Sequence, residues 1–489
     1  MKKYMSIKEI LAYSLGLFGF QAIVGLLNSY QAEFYGSILG ADIAAVGVII
    51  LVAKIVSAIF DPIIGNRIES TNGKLGKFKP FILISIPILL VFSALIFVDF
   101  GFLHHAETVD GVAKPVAYNY TYIYIFITSL IWCLGMTFAD VPTQGIASVL
   151  TPNPEERTNV VSIANTAKQI GFSACCVIVP IICLIVPGGS KVIVKSGETD
   201  SPMIAGEYLG TGILTAIFGC VLMALIVLWS KERVPYTAGE KNTAKDMLDA
   251  IKGNKPLILV IVSYFLGFGR QMAMGIQVQA AYALIGSQNL VLILGITTAV
   301  GSMISMAITP VLIKKLGEKV TYLALSIYGF VISIVAYLVY AYTSAPQIVM
   351  YIFLFLIGLQ FSAVTLMPMI MVADCVDYYE YETGKRKEGP VYALLSLTIK
   401  VCLALGTALG LIFVGKSGYN DAISAAGGAA EVIFSTDTKN MIFFAYTAMP
   451  GILALLSAIP MFRYDLYGEK KKMISEELQK RRAAAGAEK

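Results

Sequence analysis

Charge is what this 489-residue sequence has least of. Only 14% of its residues are Asp, Glu, Lys or Arg, while 57% are apolar and the mean hydropathy is +0.75. Soluble domains are about a quarter charged, so a globule solvated on all sides is excluded. Histidine is scarcer still: His104 and His105 are the two copies, read as solvated loop residues. The seven cysteines (Cys133, Cys175, Cys176, Cys183, Cys220, Cys375, Cys402) lack zinc-ligand spacing and all fall in apolar runs, as buried thiols do. No His-rich metal motif, nucleophile elbow or phosphate loop occurs in the connections, which speaks against an enzyme. No cleavable leader is read, because the first apolar run is too long and lacks a small-residue cleavage site. No long polar segment offers the soluble domain of a receptor or scaffold. The two tryptophans, Trp132 and Trp229, read as packing or interface aromatics.

What is abundant is apolar runs of membrane-spanning length, about 20 residues each. Twelve can be marked: 9–36, 43–65, 80–103, 120–150, 160–187, 209–230, 256–285, 290–313, 320–342, 348–374, 391–414 and 441–462. With twelve spans, both termini and the even-numbered connections share a side. That side carries 28 of the 37 lysines and arginines, which makes it cytoplasmic. The net charge of +5 is therefore a matter of topology and implies no nucleic-acid partner.

The chain divides into a six-helix bundle (1–230), a polar cytoplasmic middle loop (231–255), a second six-helix bundle (256–464) and a cytoplasmic tail (465–489). Weak similarity crosses the middle. Gly135-Met-Thr-Phe138-Ala-Asp140-Val141 parallels Gly358-Leu-Gln-Phe361-Ser-Ala363-Val364. Asp61-Pro62 with its basic loop parallels Thr309-Pro310 followed by Lys314–Lys319. Such repeats suit a rocker-switch transporter. The tail reads either as a short surface helix or as disordered.

An ionisable side chain at mid-membrane costs about 2.5–3.5 kcal/mol, so such residues usually face a cavity or a partner. Lys54, Ser57 and Asp61 lie along one face of the second run; Thr137, Asp140 and Gln144 do so in the fourth. Ser396, Lys400 and Thr407 mark the eleventh, Asn165, Lys168 and Gln169 the fifth, and Gln21, Gly25 and Asn28 the first. Five polar stripes amid apolar residues are what a water-accessible cavity needs. Asp61 and Asp140 are the candidates to take a proton or coordinate Na⁺, with Ser57 and Thr137 as neighbouring oxygens. The plainer alternative is a helix-holding ion pair, Asp61 with Lys54 or Asp140 with Lys400. Arg270 is read as pairing, snorkelling or gating. In the basic glycine loop, Lys77 is read as part of a cytoplasmic gate or as positive-inside topology alone.

Three segments carry a family resemblance: Phe60-Asp61-Pro62-Ile-Ile-Gly65 leading to Gly76-Lys77-Phe78-Lys79-Pro80; Asp140-Val141-Pro142 followed by Glu156-Arg157; and Met371-Val372-Ala373-Asp374-Cys-Val-Asp377-Tyr378 with Lys400 downstream. Their order and spacing resemble the glycoside–pentoside–hexuronide:cation symporters, the family of the melibiose carrier. The resemblance implies an all-α membrane protein of the major facilitator fold, twelve helices in two pseudo-symmetric bundles, working by alternating access. It implies Asp61 as a cation-site aspartate, Thr137 as a threonine of that site, Asp140 as the link between cation and sugar, Lys400 as the family's lysine on span eleven, and Lys54 as its basic residue on span two. Five departures stand beside it. A second cation-site aspartate is Ser57 here, a sugar-binding aspartate is Gln21, a sugar-binding arginine is Asn165, and two pocket tryptophans are Gln144 and Thr365. Losing a carboxylate favours H⁺ over Na⁺. Losing the arginine and tryptophans argues against an α-galactoside bound in the same way, while Lys400, Lys168 and Arg270 leave room for an anionic sugar.

The expectation is a monomeric symporter of the cytoplasmic membrane. It has no cofactor beyond H⁺ or Na⁺ and no metal beyond Na⁺ at the cation site. Substrate contacts are expected at Asp140, Gln21, Gln144, Asn165, Thr365, Lys400 and Ser396. Charge balance or gating is expected at Lys54, Lys77 and Arg270. The rival is a transporter of the same fold for an organic anion, a lysolipid or an exported drug.

Overall fold

The computed structural model describes residues 4–71, 75–109, 112–151, 154–186, 202–233, 252–343, 345–384, 388–426 and 432–487. In chain order the helices are α1 (Ile7–Ser37), α2 (Ile43–Ser70), α3 (Lys79–Leu95), α4 (Asn119–Gly145), α5 (Ala147–Leu150), α6 (Pro154–Ile185), α7 (Ala205–Trp229), α8 (Lys255–Leu266), α9 (Gly269–Gly275), α10 (Gln277–Ile285), α11 (Val291–Leu316), α12 (Glu318–Tyr342), α13 (Gln347–Gly358), α14 (Phe361–Thr383), α15 (Glu388–Lys416), α16 (Tyr419–Ala426), α17 (Thr436–Phe443), α18 (Met449–Met461) and α19 (Gly468–Ala487). Among the described residues, eleven helical spans are long and apolar enough to cross a membrane. The shorter Lys79–Leu95 makes a twelfth. These match the twelve apolar runs one for one.

Several runs are interrupted where the sequence shows no break. The seventh is three pieces, α8, α9 and α10, with turns at Gly267 and Ile276. The tenth bends at Leu359–Gln360, between α13 and α14. The twelfth joins α17 to α18 through one π turn, Phe444–Ala448, just before Pro450. Proline cannot donate a backbone N–H, and a wider turn is one way to absorb that loss. After α3 the chain leaves the helical pattern altogether. His104–Val109 (β1) and Val112–Ala117 (β2) pair as an antiparallel hairpin, His104 opposite Ala117. His104 and His105, expected in a solvated loop, start β1: His104 Nε2 lies 3.2 Å from Asp99, and the His105 ring stacks on Tyr118 with centroids 4.6 Å apart.

The chain forms two compact units. The first is Met1–Lys241 with Met274–Leu292 and Ala408–Ile442. The second is Asn242–Ala273 with Ile293–Thr407 and Phe443–Lys489. In the first, α1 is the central helix, packed on α6 and α7, while α4 packs on α2 and α3. Glycine makes the α1 contacts this close. A Cβ at Gly25 would lie 2.2 Å from the Phe172 carbonyl oxygen, and one at Gly171 would lie 2.2 Å from that of Phe18. Small residues that let backbones touch are how helices associate in lipid, where no hydrophobic effect drives them together.

One end of this unit, where α1 begins and α7 ends, is pinned by charge. Arg233 donates to both carboxylate oxygens of Glu9 at 2.7 and 2.9 Å. The Glu156 carboxylate accepts from the backbone N–H of Met5 (3.0 Å) and Tyr4 (3.2 Å) and from the Thr151 hydroxyl (2.5 Å). Burial alone would raise the Glu156 pKa, but those hydrogen bonds favour the carboxylate and hold it below the ordinary value. Glu232 caps the basic glycine loop: its two oxygens accept from the backbone N–H groups of Lys77 (2.8 Å) and Phe78 (3.2 Å). Gly76 has φ +91°, and a Cβ there would meet the Glu232 carboxylate at 2.4 Å.

In the second unit α18 packs on α12 and α8, and α14 packs on α8 and α12. The tail forms α19 and docks on α14. Ile474 and Leu478 are buried, and the Lys471 ammonium bridges Glu318 and Asp374, the latter at 2.6 Å. Of the two readings of the tail, the helix is the one adopted.

Candidate functional site

Two side-chain contacts link the polar stripes of the first unit, one between α1 and α2 and one between α4 and α6. On α2, Lys54 reaches across to α1 and donates to Asn28 Oδ1 at 2.9 Å, while the Asn28 amide donates to the Val24 carbonyl at 3.0 Å. One turn on, Ser57 is 8% exposed and its hydroxyl donates to the Lys54 carbonyl at 2.9 Å. Asp61 follows, half-buried, one residue before Pro62. On the adjoining α4, Thr137 is 3% exposed and donates to the Cys133 carbonyl at 3.3 Å, and Asp140 is 9% exposed, two residues before Pro142.

Two features turn oxygens rather than hydrogens outward. Both hydroxyl protons are spent on carbonyls of their own helix, which leaves the Ser57 and Thr137 lone pairs as acceptors. Pro62 and Pro142 lack N–H groups, so the carbonyls of Ala58 and Phe138 have no helical donor from four residues on. Each of these two packed helices thus carries a carboxylate, a hydroxyl and a carbonyl oxygen, the oxygen types that suit a hard cation or a proton.

The charge on Asp140 is met by α6. Lys168 Nζ lies 3.8 Å from Asp140 Oδ1, with the side chains 26% and 13% exposed. The separation exceeds the 2.7–2.9 Å of a charge-assisted hydrogen bond. By comparison Arg233 and Glu9 close to 2.7 Å. Within this unit Asp140 faces Lys168, and the Lys54 ammonium donates to Asn28 Oδ1. From sequence Lys168 is one of three cations that leave room for an anionic sugar; its place three residues after Asn165 on the α6 stripe is the signal that it lines the same face.

Other expected residues are placed as follows. Gln21 is half-buried on α1; Asn165 on α6 and Gln144 at the end of α4 are exposed. In the second unit the Arg270 guanidinium lies over the Phe361 ring, 5.4 Å from its centroid. Thr365 donates to the Phe361 carbonyl at 2.6 Å. Ser396 is exposed and Lys400 half-buried one turn apart on α15. The contact of Lys77 with Glu232 runs through its backbone N–H.

Of the buried acids that sequence does not single out, one has no charged partner among the described residues. Glu33, near the far end of α1, is fully buried. In sequence it sits near the end of an apolar run, where a charge looks interfacial. The signal was a lone acid amid Tyr30, Phe34 and Tyr35.

The architecture, with its polar stripes inside helical bundles, defines a membrane transporter rather than an enzyme. Residues 12–468 match the family model described as MFS/sugar transport protein, and the chain belongs to that family. It is 25% identical to the glucuronide carrier protein homolog of Escherichia coli K12, covering 99% of this chain and 97% of that one. It is 28% identical to the isoprimeverose transporter of Lactiplantibacillus pentosus, covering 96% and 91%. The nucleoside transporter NupG superposes with a TM-score of 0.61 at 14% identity, over 94% of this chain and 100% of that one, which shows the major facilitator fold.

Proposed function

We propose that this protein is a cation-coupled symporter of the cytoplasmic membrane, both termini cytoplasmic, that imports a sugar, glycoside or hexuronide by alternating access. H⁺ is favoured over Na⁺ as the coupling ion. The observation that carries the reading is the loose, partly exposed Asp140–Lys168 pair, on an α4 that packs against the α2 carrying Ser57 and Asp61. A pair kept only to hold helices would close to hydrogen-bond distance and lose its exposure. This one leaves each partner able to exchange the other for a ligand. In this scheme Asp61 takes the coupling ion, and Asp140 receives sugar hydroxyls while remaining linked to the ion. Lys168 takes up Asp140's charge or an anionic group on the sugar, and Lys400 balances charge. A hexuronide suits the lysine, and the glucuronide carrier homolog is among the relatives. Ser57 in place of a further carboxylate lowers the negative charge available to Na⁺, which supports the proton.

Uptake into proteoliposomes against a panel of neutral and acidic sugars tests this. Asp61→Asn abolishes accumulation driven by a pH gradient while counterflow exchange of the sugar persists. Wild-type accumulation by Asp61→Asn refutes the assignment.

A further inference from the structure

Glu33 has no role in the mechanism above, yet its surroundings are built around it. Its carboxyl is fully buried and meets two further segments of the first unit, through Gln288 and Tyr419. One oxygen, Oε1, accepts from the Gln288 amide at 2.6 Å and from the Tyr419 hydroxyl at 2.9 Å. The Gln288 amide cannot turn round, because its own oxygen accepts from the Met203 N–H at 3.0 Å and the Tyr208 hydroxyl at 3.4 Å. The second oxygen, Oε2, has no hydrogen-bond partner. The fully buried Gln279 amide also faces this carboxyl and interacts with it, although neither its oxygen nor its nitrogen completes a hydrogen bond of good geometry.

An amide is the side chain that can answer either form of the acid. It offers its oxygen to a protonated Oε2 and, flipped, its NH₂ to an ionised one. The titratable groups around Glu33 are neutral phenols: Tyr208 on α7, Tyr282 on α10 and Tyr419 on α16. Glu207 is turned to the backbone N–H of Ile204 at 2.9 Å. Among the described residues Glu33 forms no ion pair. A buried carboxylate without a counter-charge is costly, so the arrangement suits the neutral acid.

We propose that Glu33 is a proton-binding site separate from the Asp61–Asp140 pair. Its neutral form latches the segments 277–292 and 419–426 onto α1, and its charged form releases them to water. Both segments come from the second half of the chain, and alternating access requires such contacts to break at one end in each cycle. With the termini cytoplasmic, this is the outer end of α1, so the latch loosens as the outside turns alkaline.

Hydrogen exchange of the purified full-length protein, without sugar or gradient, is the test, with rates corrected to protection factors. It is therefore independent of the coupling-ion assignment. Wild type protects 277–292 at about pH 5.5 and loses at least about tenfold of that protection at about pH 8. Glu33→Gln, which mimics the neutral acid, keeps the protection at both. Equal profiles for the two proteins overturn the proposal. Should Glu33→Gln not fold, Tyr419→Phe decides: it removes a donor to the charged form and moves the loss of protection to higher pH, and an unmoved profile overturns the proposal equally.

Discussion

The Asp140–Lys168 pair can be weighed by a double-mutant cycle. At 3.8 Å two unit charges interact by about 4 kcal/mol at an effective dielectric of ~20. Both side chains keep partial exposure, 13% and 26%, which screens the pair to roughly half of that, about 2 kcal/mol. Asp140→Asn leaves an ammonium between helices with no carboxylate opposite, and Lys168→Met leaves the carboxylate. Each single change lowers stability by about 2–3 kcal/mol. The double variant, which removes both charges, falls short of the sum by about 2 kcal/mol. Reversible unfolding in mixed micelles reads these values, and sugar counterflow on the same proteins reads function. Stability returns toward wild type in the double variant, whereas counterflow stays lost in every variant lacking Asp140. A coupling energy below about 0.5 kcal/mol would show that the two groups act independently. Recovery of counterflow together with stability would show that the pair only holds α4 to α6.

Gly25→Leu separates α1 from α6, because a Cβ at that position already falls 2.2 Å from the Phe172 carbonyl oxygen. A loss of about 3 kcal/mol or more is expected, seen as a collapsed yield of monodisperse protein, and normal yield would show that this crossing tolerates bulk. The docked tail has a predictable pH limit. Burial disfavours the Lys471 ammonium, but its hydrogen bonds to Asp374 and Glu318 outweigh that and hold its pKa above the ordinary 10.5. Stability from such a group is fully present below the unfolded pKa and is lost as pH rises through the folded one. Limited proteolysis of the tail should therefore be slow up to about pH 10 and accelerate above it, and Lys471→Met should be cut rapidly at every pH. Rapid cleavage of wild type at neutral pH would contradict the docking.

The twelve spans were legible because lipid imposes one requirement, unbroken apolar length, that composition alone reveals. The interruptions were not. Gly267, Ile276 and Gln360 look like any residue of an apolar run, and only packing against neighbouring helices makes a turn there stable. The hairpin was hidden for a related reason: β pairing between 104–109 and 112–117 depends on the partner strand, and neither segment alternates strongly. At the candidate site, Asp61, Ser57, Thr137 and Asp140 stand out in the sequence because charge and helical spacing mark a polar stripe on each of two helices. Lys168 as a partner of Asp140 does not, since which helices pack together is not written in either stripe. Glu33 shows the converse: an acid at the edge of a run has the same local sequence whether it ends at the interface or in a closed core of tyrosines and glutamines.

The β1–β2 hairpin has a practical consequence. The N–H of Ala117 donates to the Gly40 carbonyl at 3.3 Å, and a side chain at Gly40 would collide with Pro115. The strands are therefore seated on the turn between α1 and α2 instead of swinging from a tether. Ala106, Glu107 and Thr108 stand exposed on this small platform. An antibody fragment raised against them would be carried rigidly by the first unit, giving a single-particle microscopist a fiducial mark on a protein with little soluble mass of its own.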